Sequence, residues 1–299
     1  MDFNSKVKAF RKVLSETYPY HFTTLENLYR ILEMGKLLSK NSLIQNGIDF
    51  YDVGDLEDDE YQIDRTVGRK FKIFDVNAFI DESAGRIEFK YRSKVLSLRD
   101  YVRLYLFTVR IKDSPLLVPR FLFLKIRNLS SIAILFFVNA IELTNYLENI
   151  GAEYYIIYGH PHRKNPSAFK SIDGFVKYLA SDLPGVDTLR EWLKVDTAYE
   201  NILSMDLELR SEFFNRYTVE SLSGTSLKPC LSQLLASELI VREELDLKET
   251  LRSIMIFGKD PLLKLRVKRV KELCNRNNIN SEIKYYDIDS LRYEIGVRY

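Results

Sequence analysis

Short runs of aromatic and β-branched residues alternate with helical segments along the whole chain, and this alternation constrains the fold more than any other feature. Tyr20-His21-Phe22-Thr23 reads as a strand and runs directly into Thr23-Thr24-Leu25-Glu26. That is a capping-box pattern, because Glu26 lies three residues after Thr23. Leu25, Leu28, Ile31 and Leu32 then share one helical face. Gly35 is placed to end the helix, and a loop over Leu37-Leu38-Ser39-Lys40-Asn41 is expected to follow. Alternation predicts a strand pair over 86–97 and strands near 101–111, 121–126, 132–138, 154–158, 236–241, 251–257 and 282–286. Helical spacing appears within 1–19, over 140–149 and 167–183, in parts of 186–229, and over 260–275. In the last of these Asp260 is the expected N-cap and Pro261 the first helical residue. Helices interrupting mixed strands predict an α+β fold. No Pro/Gly/Ser linker divides it, so one domain over 1–299 is expected.

A chain of 299 residues can bury a sizeable core. Its formal net charge is only +2, so any surface for a polyanion must be local. The segment from Asp55 to Glu60 is acidic, and Arg65, Arg69, Lys70 and Lys72 follow it. A second basic run, Lys264 to Lys271, alternates with Leu and Val and reads as a half-buried helix with a wet basic face. The two cysteines, Cys230 and Cys274, form no CxxC motif and have no histidine pair nearby. No metal is expected, and free thiols suit a reducing cytoplasm. Met1 to Leu14 lacks the apolar run of a signal peptide, and Ile132 to Ala140 is too short to span a bilayer. No Gly-x-Gly-x-x-Gly or Walker pattern occurs, which argues against a Rossmann dehydrogenase or a P-loop NTPase.

Few residues stand out for chemistry. Glu238 interrupts an apolar run, with Leu234-Leu235-Ala236 before it and Leu239-Ile240-Val241 after it. An acid there either faces solvent or serves a site. His21 is one of three histidines and lies on the first strand, as a structural or a binding residue. Tyr105 is a core ring or a stacking platform.

Four separated blocks, in one order, resemble the DarT family of ADP-ribosyltransferases, whose members modify thymidine bases in single-stranded DNA. The first is Tyr20-His21-Phe22-Thr23 with Asn27-Leu28, Ile31-Leu32 and Gly35-Lys36-Leu37-Leu38-Ser39. The second is Asp100-Tyr101-Val102-Arg103-Leu104-Tyr105-Leu106 with Ser114-Pro115-Leu116-Leu117. The third runs from Tyr154 to Gly159-His160, with Trp192 downstream, and the fourth is Ala236-Ser237-Glu238-Leu239-Ile240-Val241. Roughly 42–97 and 193–230 lie outside the resemblance. Arg103 stands where the family has proline and Tyr158 where it has aspartate, and the stretch from His160 to Glu238 is longer than the family pattern.

The resemblance implies a central mixed, split β-sheet flanked by helices, with 1–19 as a helical extension and 161–235 as a long acceptor-side loop and helical insert. It implies NAD⁺ as substrate, held by His21, Phe22, Thr23, Leu38, Arg65 and Tyr105, with no metal. Glu238 would be the catalytic carboxylate. Arg65 would take the proton of the target base, with Arg69 as the other candidate for that part. His160, Arg163 and Lys164 would meet single-stranded DNA. It also implies a toxin countered by a macrodomain antitoxin, with no membrane partner. Guanosine, RNA or protein as acceptor, or a decayed fold that only binds nucleic acid, remain the alternatives.

Overall fold

The computed structural model describes residues 2–50, 68–75, 89–107, 109–111, 117–118, 131–159, 166–182, 194–195, 237–258 and 262–287. The helices are α1 (Phe3–Ser15), α2 (Leu25–Met34), α3 (Lys40–Gln45), α4 (Ala140–Asn149), α5 (Ile172–Asp182), α6 (Leu247–Thr250) and α7 (Leu263–Arg276). The strands that concern the site are β1 (Tyr20–Thr23), β2 (Lys36–Leu38), β3 (Arg69–Phe74), β4 (Tyr91–Leu96) and β5 (Tyr101–Tyr105). Short strands follow at β6 (Val109–Ile111) and β7 (Leu117–Val118). Then come β8 (Ser131–Phe137), β9 (Tyr154–Tyr158), β10 (Ser167–Phe169) and β11 (Lys194–Val195). The last are β12 (Glu238–Arg242), β13 (Glu244–Asp246), β14 (Leu251–Gly258) and β15 (Glu282–Asp287).

Among the described residues ten strands form one sheet in the order β15-β14-β8-β1-β5-β12-β9-β10-β3-β4. It is mixed: β10–β3 and β14–β15 are parallel, and the other pairs are antiparallel. The architecture is α+β.

Alternation along the strands sorts side chains between two faces. Val102, Leu104, Leu135, Ile156, Leu239 and Val241 join the main core with residues of α1, α2, α4, α5 and α7. Ile157, Ala168 and Ile240 belong to a second, smaller core with Phe71, Ile73, Leu96, Leu98, Tyr101 and Tyr155. Lys94 on edge strand β4 reaches Glu153 at 2.8 Å and the Tyr155 hydroxyl at 3.2 Å, so the β3–β4 end of the sheet curls over this second core. The basic helix α7 packs Leu263, Val267, Val270 and Leu273 into the main core and keeps its charges wet, as its spacing predicts. No helix among the described residues is long and apolar enough to cross a membrane.

Several local expectations need correction. The cap of α2 is Thr24, whose side chain accepts from the backbone N of Asn27, while Thr23 stays in the strand. Backbone pairing of Thr23 with Ala133 holds it there. The expected loop at 37–41 is the end of β2 followed by α3. A partner distant in sequence makes β2: it pairs with β13, and Lys36 reaches Glu244 at 2.7 Å. Ser39 then caps α3 by accepting from Ser42. Of the strand pair expected within 86–97, the described residues form one strand, β4, paired with β3, which reads in sequence only as a basic run; 86–88 lie outside the described residues. Residues 167–169 form β10 between β9 and β3, so the helix expected from Ser167 begins at Ile172. The expected strand over 101–111 is two strands, β5 and β6. The N-cap of α7 is Leu262, with no side-chain cap bond; Asp260 and Pro261 lie outside the described residues.

Candidate active site

Three adjacent strands build the site. β1 and β5 pair at a single position, Tyr20 with Tyr105. Beyond it the strands part, and a side chain takes over from the backbone ladder. The His21 ring Nδ1 lies 3.1 Å from the main-chain oxygen of Arg103. A carbonyl only accepts, so Nδ1 carries the proton. Burial is the largest influence on this imidazole and lowers its pKa; the bond to the Arg103 carbonyl opposes that, and the nearby guanidinium charge reinforces it. A neutral ring protonated at Nδ1 leaves Nε2 as a hydrogen-bond acceptor.

On the other side β5 pairs with β12 over its whole length, and Glu238 lies directly opposite Tyr105. The start of β12 is fixed by Leu106, whose N–H donates to the Ser237 carbonyl at 3.0 Å. Gly159, at φ 87°, donates its N–H to the Ser237 hydroxyl at 3.3 Å. A side chain is strained at that φ, so glycine belongs there.

Glu238 is only 1% exposed, which rules out the solvent-facing reading of this acid. Arg103 compensates it: Nε donates to one carboxylate oxygen and Nη2 to the other, both at 2.7 Å. Arg103 and Glu238 lie on the same face of the sheet, each two residues from a directly opposed partner. That fork satisfies one lone pair on each oxygen and leaves the others for a ligand. Arg103 itself is about one-third exposed (side chain 31%), so the pair borders solvent on one side.

Next to the pair stands an aromatic shelf. The Tyr20 and Tyr105 rings stack at 5.4 Å, and Phe22 meets Tyr20 edge-on at 5.5 Å and Tyr105 at 6.0 Å. The structure thus brings together Glu238, Tyr105 and Phe22 of the expected residues on one face, while His21 alternates to the face of Leu135 and adjoins them through its bond to the Arg103 carbonyl. Thr23 is buried at the end of β1. Leu38 is half-buried on the separate β2–β13 ribbon, opposite Glu244. Arg65, His160, Arg163 and Lys164 lie outside the described residues. Tyr158 packs against Phe175 and Tyr178 in the main core, on the face away from Glu238.

Arg103 is the member of this arrangement that sequence reasoning did not place in the site. Its signal was present: a cation inside the otherwise apolar and aromatic Tyr101-Val102-Arg103-Leu104-Tyr105 strand, matching an acid inside an apolar strand.

Comparison with known proteins finds likeness in solved structures. "Thermus sp. 2.9 DarT in complex with NAD+" is 13% identical, with TM-score 0.44 over 90% of this chain and 95% of that one. "Thermus sp. 2.9 DarT in complex with ADP-ribosylated ssDNA" is 14% identical, with TM-score 0.46 over 90% of this chain and 94% of that one. The same protein with carba-NAD+ is 14% identical, with TM-score 0.42 over 91% and 96% of the two chains. No protein-family model and no curated protein matches the chain.

Proposed function

We propose that this chain is an NAD⁺-dependent ADP-ribosyltransferase that attaches ADP-ribose to a base of single-stranded DNA, with thymidine as that base. The observation that carries the reading is the buried Glu238 carboxylate, oriented by Arg103 beside the aromatic shelf where β1 and β5 part. The four sequence blocks that resemble the DarT family include Glu238, Tyr20, Phe22 and Tyr105 of that arrangement, while Arg103 stands where the family has proline.

The chemistry follows from the charge that develops. Breaking the bond between nicotinamide and ribose C1′ leaves positive charge on the ribose. The free lone pairs of Glu238 accept a hydrogen bond from a ribose hydroxyl and stabilise that charge. Nε2 of His21 accepts from a second hydroxyl group of NAD⁺, and the Tyr105 and Phe22 rings offer a face to nicotinamide. The ring nitrogen of the base then bonds C1′, nicotinamide departs with the bonding pair, and the base gives up its N–H proton. Arg65 is the assigned acceptor of that proton, a role that requires its side chain as the neutral guanidine because the guanidinium has no free lone pair, and His160, Arg163 and Lys164 are the assigned contacts to the strand. We extend the proposal to one domain over 1–299, a cytoplasmic toxin role and a macrodomain antitoxin that removes the mark.

The test is incubation with NAD⁺ and a panel of DNA, RNA and protein acceptors, followed by mass spectrometry. Gain of one ADP-ribose on single-stranded DNA is expected. Modification of RNA or protein alone moves the acceptor, and no NAD⁺ consumption with any acceptor overturns the reading.

A further inference from the structure

The β3–β4 ribbon lies in the part of the chain that the family resemblance does not cover, and its charge sets it apart. The described residues 68–75 and 89–96 carry six cations, Arg69, Lys70, Lys72, Lys90, Arg92 and Lys94, against one acid, Asp75. That is a net +5 in a chain whose total is +2, so the remainder sums to −3. Asp75 is paired with Lys170, and Lys94 with Glu153. Lys70, Lys72, Lys90 and Arg92 meet no carboxylate among the described residues.

Among the described residues β4 is an edge of the sheet, and residues of both faces converge on it. Lys70, Lys72 and Tyr91 occupy one face, and Arg92 and Lys94 the other. Tyr91 is 53% exposed, and the Lys72 ammonium sits 5.1 Å from its ring centre. An exposed ring flanked by cations can stack an unpaired base while the cations meet its phosphates; a duplex offers no such base.

The ribbon is also in line with Glu238. Cross-strand partners run in one row from Glu238 to Ile157, Ala168, Ile73 and Arg92. Four strand steps of ~4.8 Å separate the ends, roughly 19 Å along the sheet.

We propose that the β3–β4 ribbon is a docking surface for single-stranded DNA, which lies along the free edge of β4 with a base on Tyr91 and phosphates on Lys70, Lys72 and Arg92. It rests on the reading of the acceptor as a DNA strand and adds a second, base-independent contact at the sheet edge, with Arg92 on the face that carries Glu238 and Tyr91, Lys70 and Lys72 on the other.

The experiment compares the full chain with the triple variant Lys70→Ala/Lys72→Ala/Arg92→Ala and with Tyr91→Ala, all checked for folding by thermal melts. The probe is a fluorescent oligothymidylate titrated at several salt concentrations. The triple variant is expected to bind at least 10-fold more weakly, with a shallower dependence of log K on log salt by roughly 0.7 per lost phosphate contact, about 2 in all. Tyr91→Ala is expected to lose about 10-fold with its salt slope kept. NAD⁺ consumption without DNA should be unchanged in both. Wild-type affinity and slope in the folded triple variant overturn the proposal, even where ADP-ribose is still transferred to DNA. Ribbon-dependent binding with no ADP-ribose transfer supports the ribbon and overturns the proposed reaction instead.

Discussion

Arg103 and Glu238 meet diagonally across β5 and β12 with two parallel hydrogen bonds of 2.7 Å, although 135 residues separate them in sequence. Removing one member of a buried pair strands the other charge, which costs about 3–5 kcal/mol when both are fully buried. Arg103 is one-third exposed, so roughly 2–4 kcal/mol is expected for Arg103→Ala. Beyond stability, the fork fixes the plane of the carboxylate. Arg103→Lys keeps the charge but not the fork, so it should fold better than the alanine variant and still lose on the order of 10-fold in kcat with KM little changed. Steady-state NAD⁺ consumption on variants melted in parallel checks this. A lysine variant with wild-type kcat would show that the fork has no part in the reaction.

Glu238→Gln preserves shape and a hydrogen-bonding oxygen but removes the negative charge. Transfer should fall on the order of 10²–10³-fold, the scale for loss of one electrostatic stabiliser. NAD⁺ affinity should change far less, because the charge is needed only as the ribose becomes cationic. Single-turnover transfer measured beside calorimetric binding separates the two. Near-normal turnover would remove Glu238 from the chemistry.

His21 is held neutral with its proton on Nδ1, so Nε2 accepts. His21→Ala should weaken NAD⁺ binding by roughly 10-fold, the value of about one hydrogen bond to a buried partner. Since burial lowers this pKa below 6.5, NAD⁺ affinity should stay flat as pH falls from 8 to 6.5. The same shift means that stability is full above 6.5 and declines as pH falls below it, because the unfolded chain takes up the proton first. Calorimetry across that pH range is the check, and unchanged affinity in His21→Ala would make the residue purely structural.

At the opposite end of these strands Glu153 accepts from Lys94, Tyr101, Tyr155 and Arg242. Burial pushes its carboxyl upward, but the bonds from Lys94, Tyr155 and Arg242 outweigh that and bring it down to about 2 from 4.5. A depressed carboxylate stabilises the fold above the unfolded value and loses that contribution as pH falls. Stability should therefore decline between about 4.5 and about 2, and Glu153→Gln should be less stable at pH 7 with a shallower decline. Denaturant midpoints at pH 7, 4 and 3 test it; parallel pH curves would remove Glu153 as the source.

Arg65 and Arg69 differ in testable ways. Arg69 lies on β3 opposite Leu96, on the ribbon, whereas Arg65 lies outside the described residues. If Arg65 serves the base, Arg65→Ala should bind NAD⁺ normally yet transfer little ADP-ribose to DNA. If it clamps phosphate, affinity should drop and excess NAD⁺ should restore the rate. Wild-type behaviour of Arg65→Ala together with failure of Arg69→Ala would move the role to Arg69.

The elements legible in the sequence are those whose cause is local. Gly35 ends α2 in the left-handed region at φ 68°. The apolar stripe of α7 and the unbroken apolar run of β8 are read from spacing alone, because periodicity states which faces meet water. Glu238 and His21 stood out because each is polar in a strand of apolar and aromatic neighbours. What only the tertiary structure decided is pairing between distant segments. β3 has the alternation of a strand, yet its cations mask it until β4 and β10 supply partners. β2 is a strand solely because β13 lies beside it. The site depends on the same kind of information. A sequence presents Arg103 as an oddity in one strand and Glu238 as an oddity in another, and nothing local links them. The register of β5 against β12 puts both on one face, and burial of the acid then requires the fork. Spacing along the chain encodes which way a side chain points, but its partner is set by long-range hydrogen-bond register, which no short window contains.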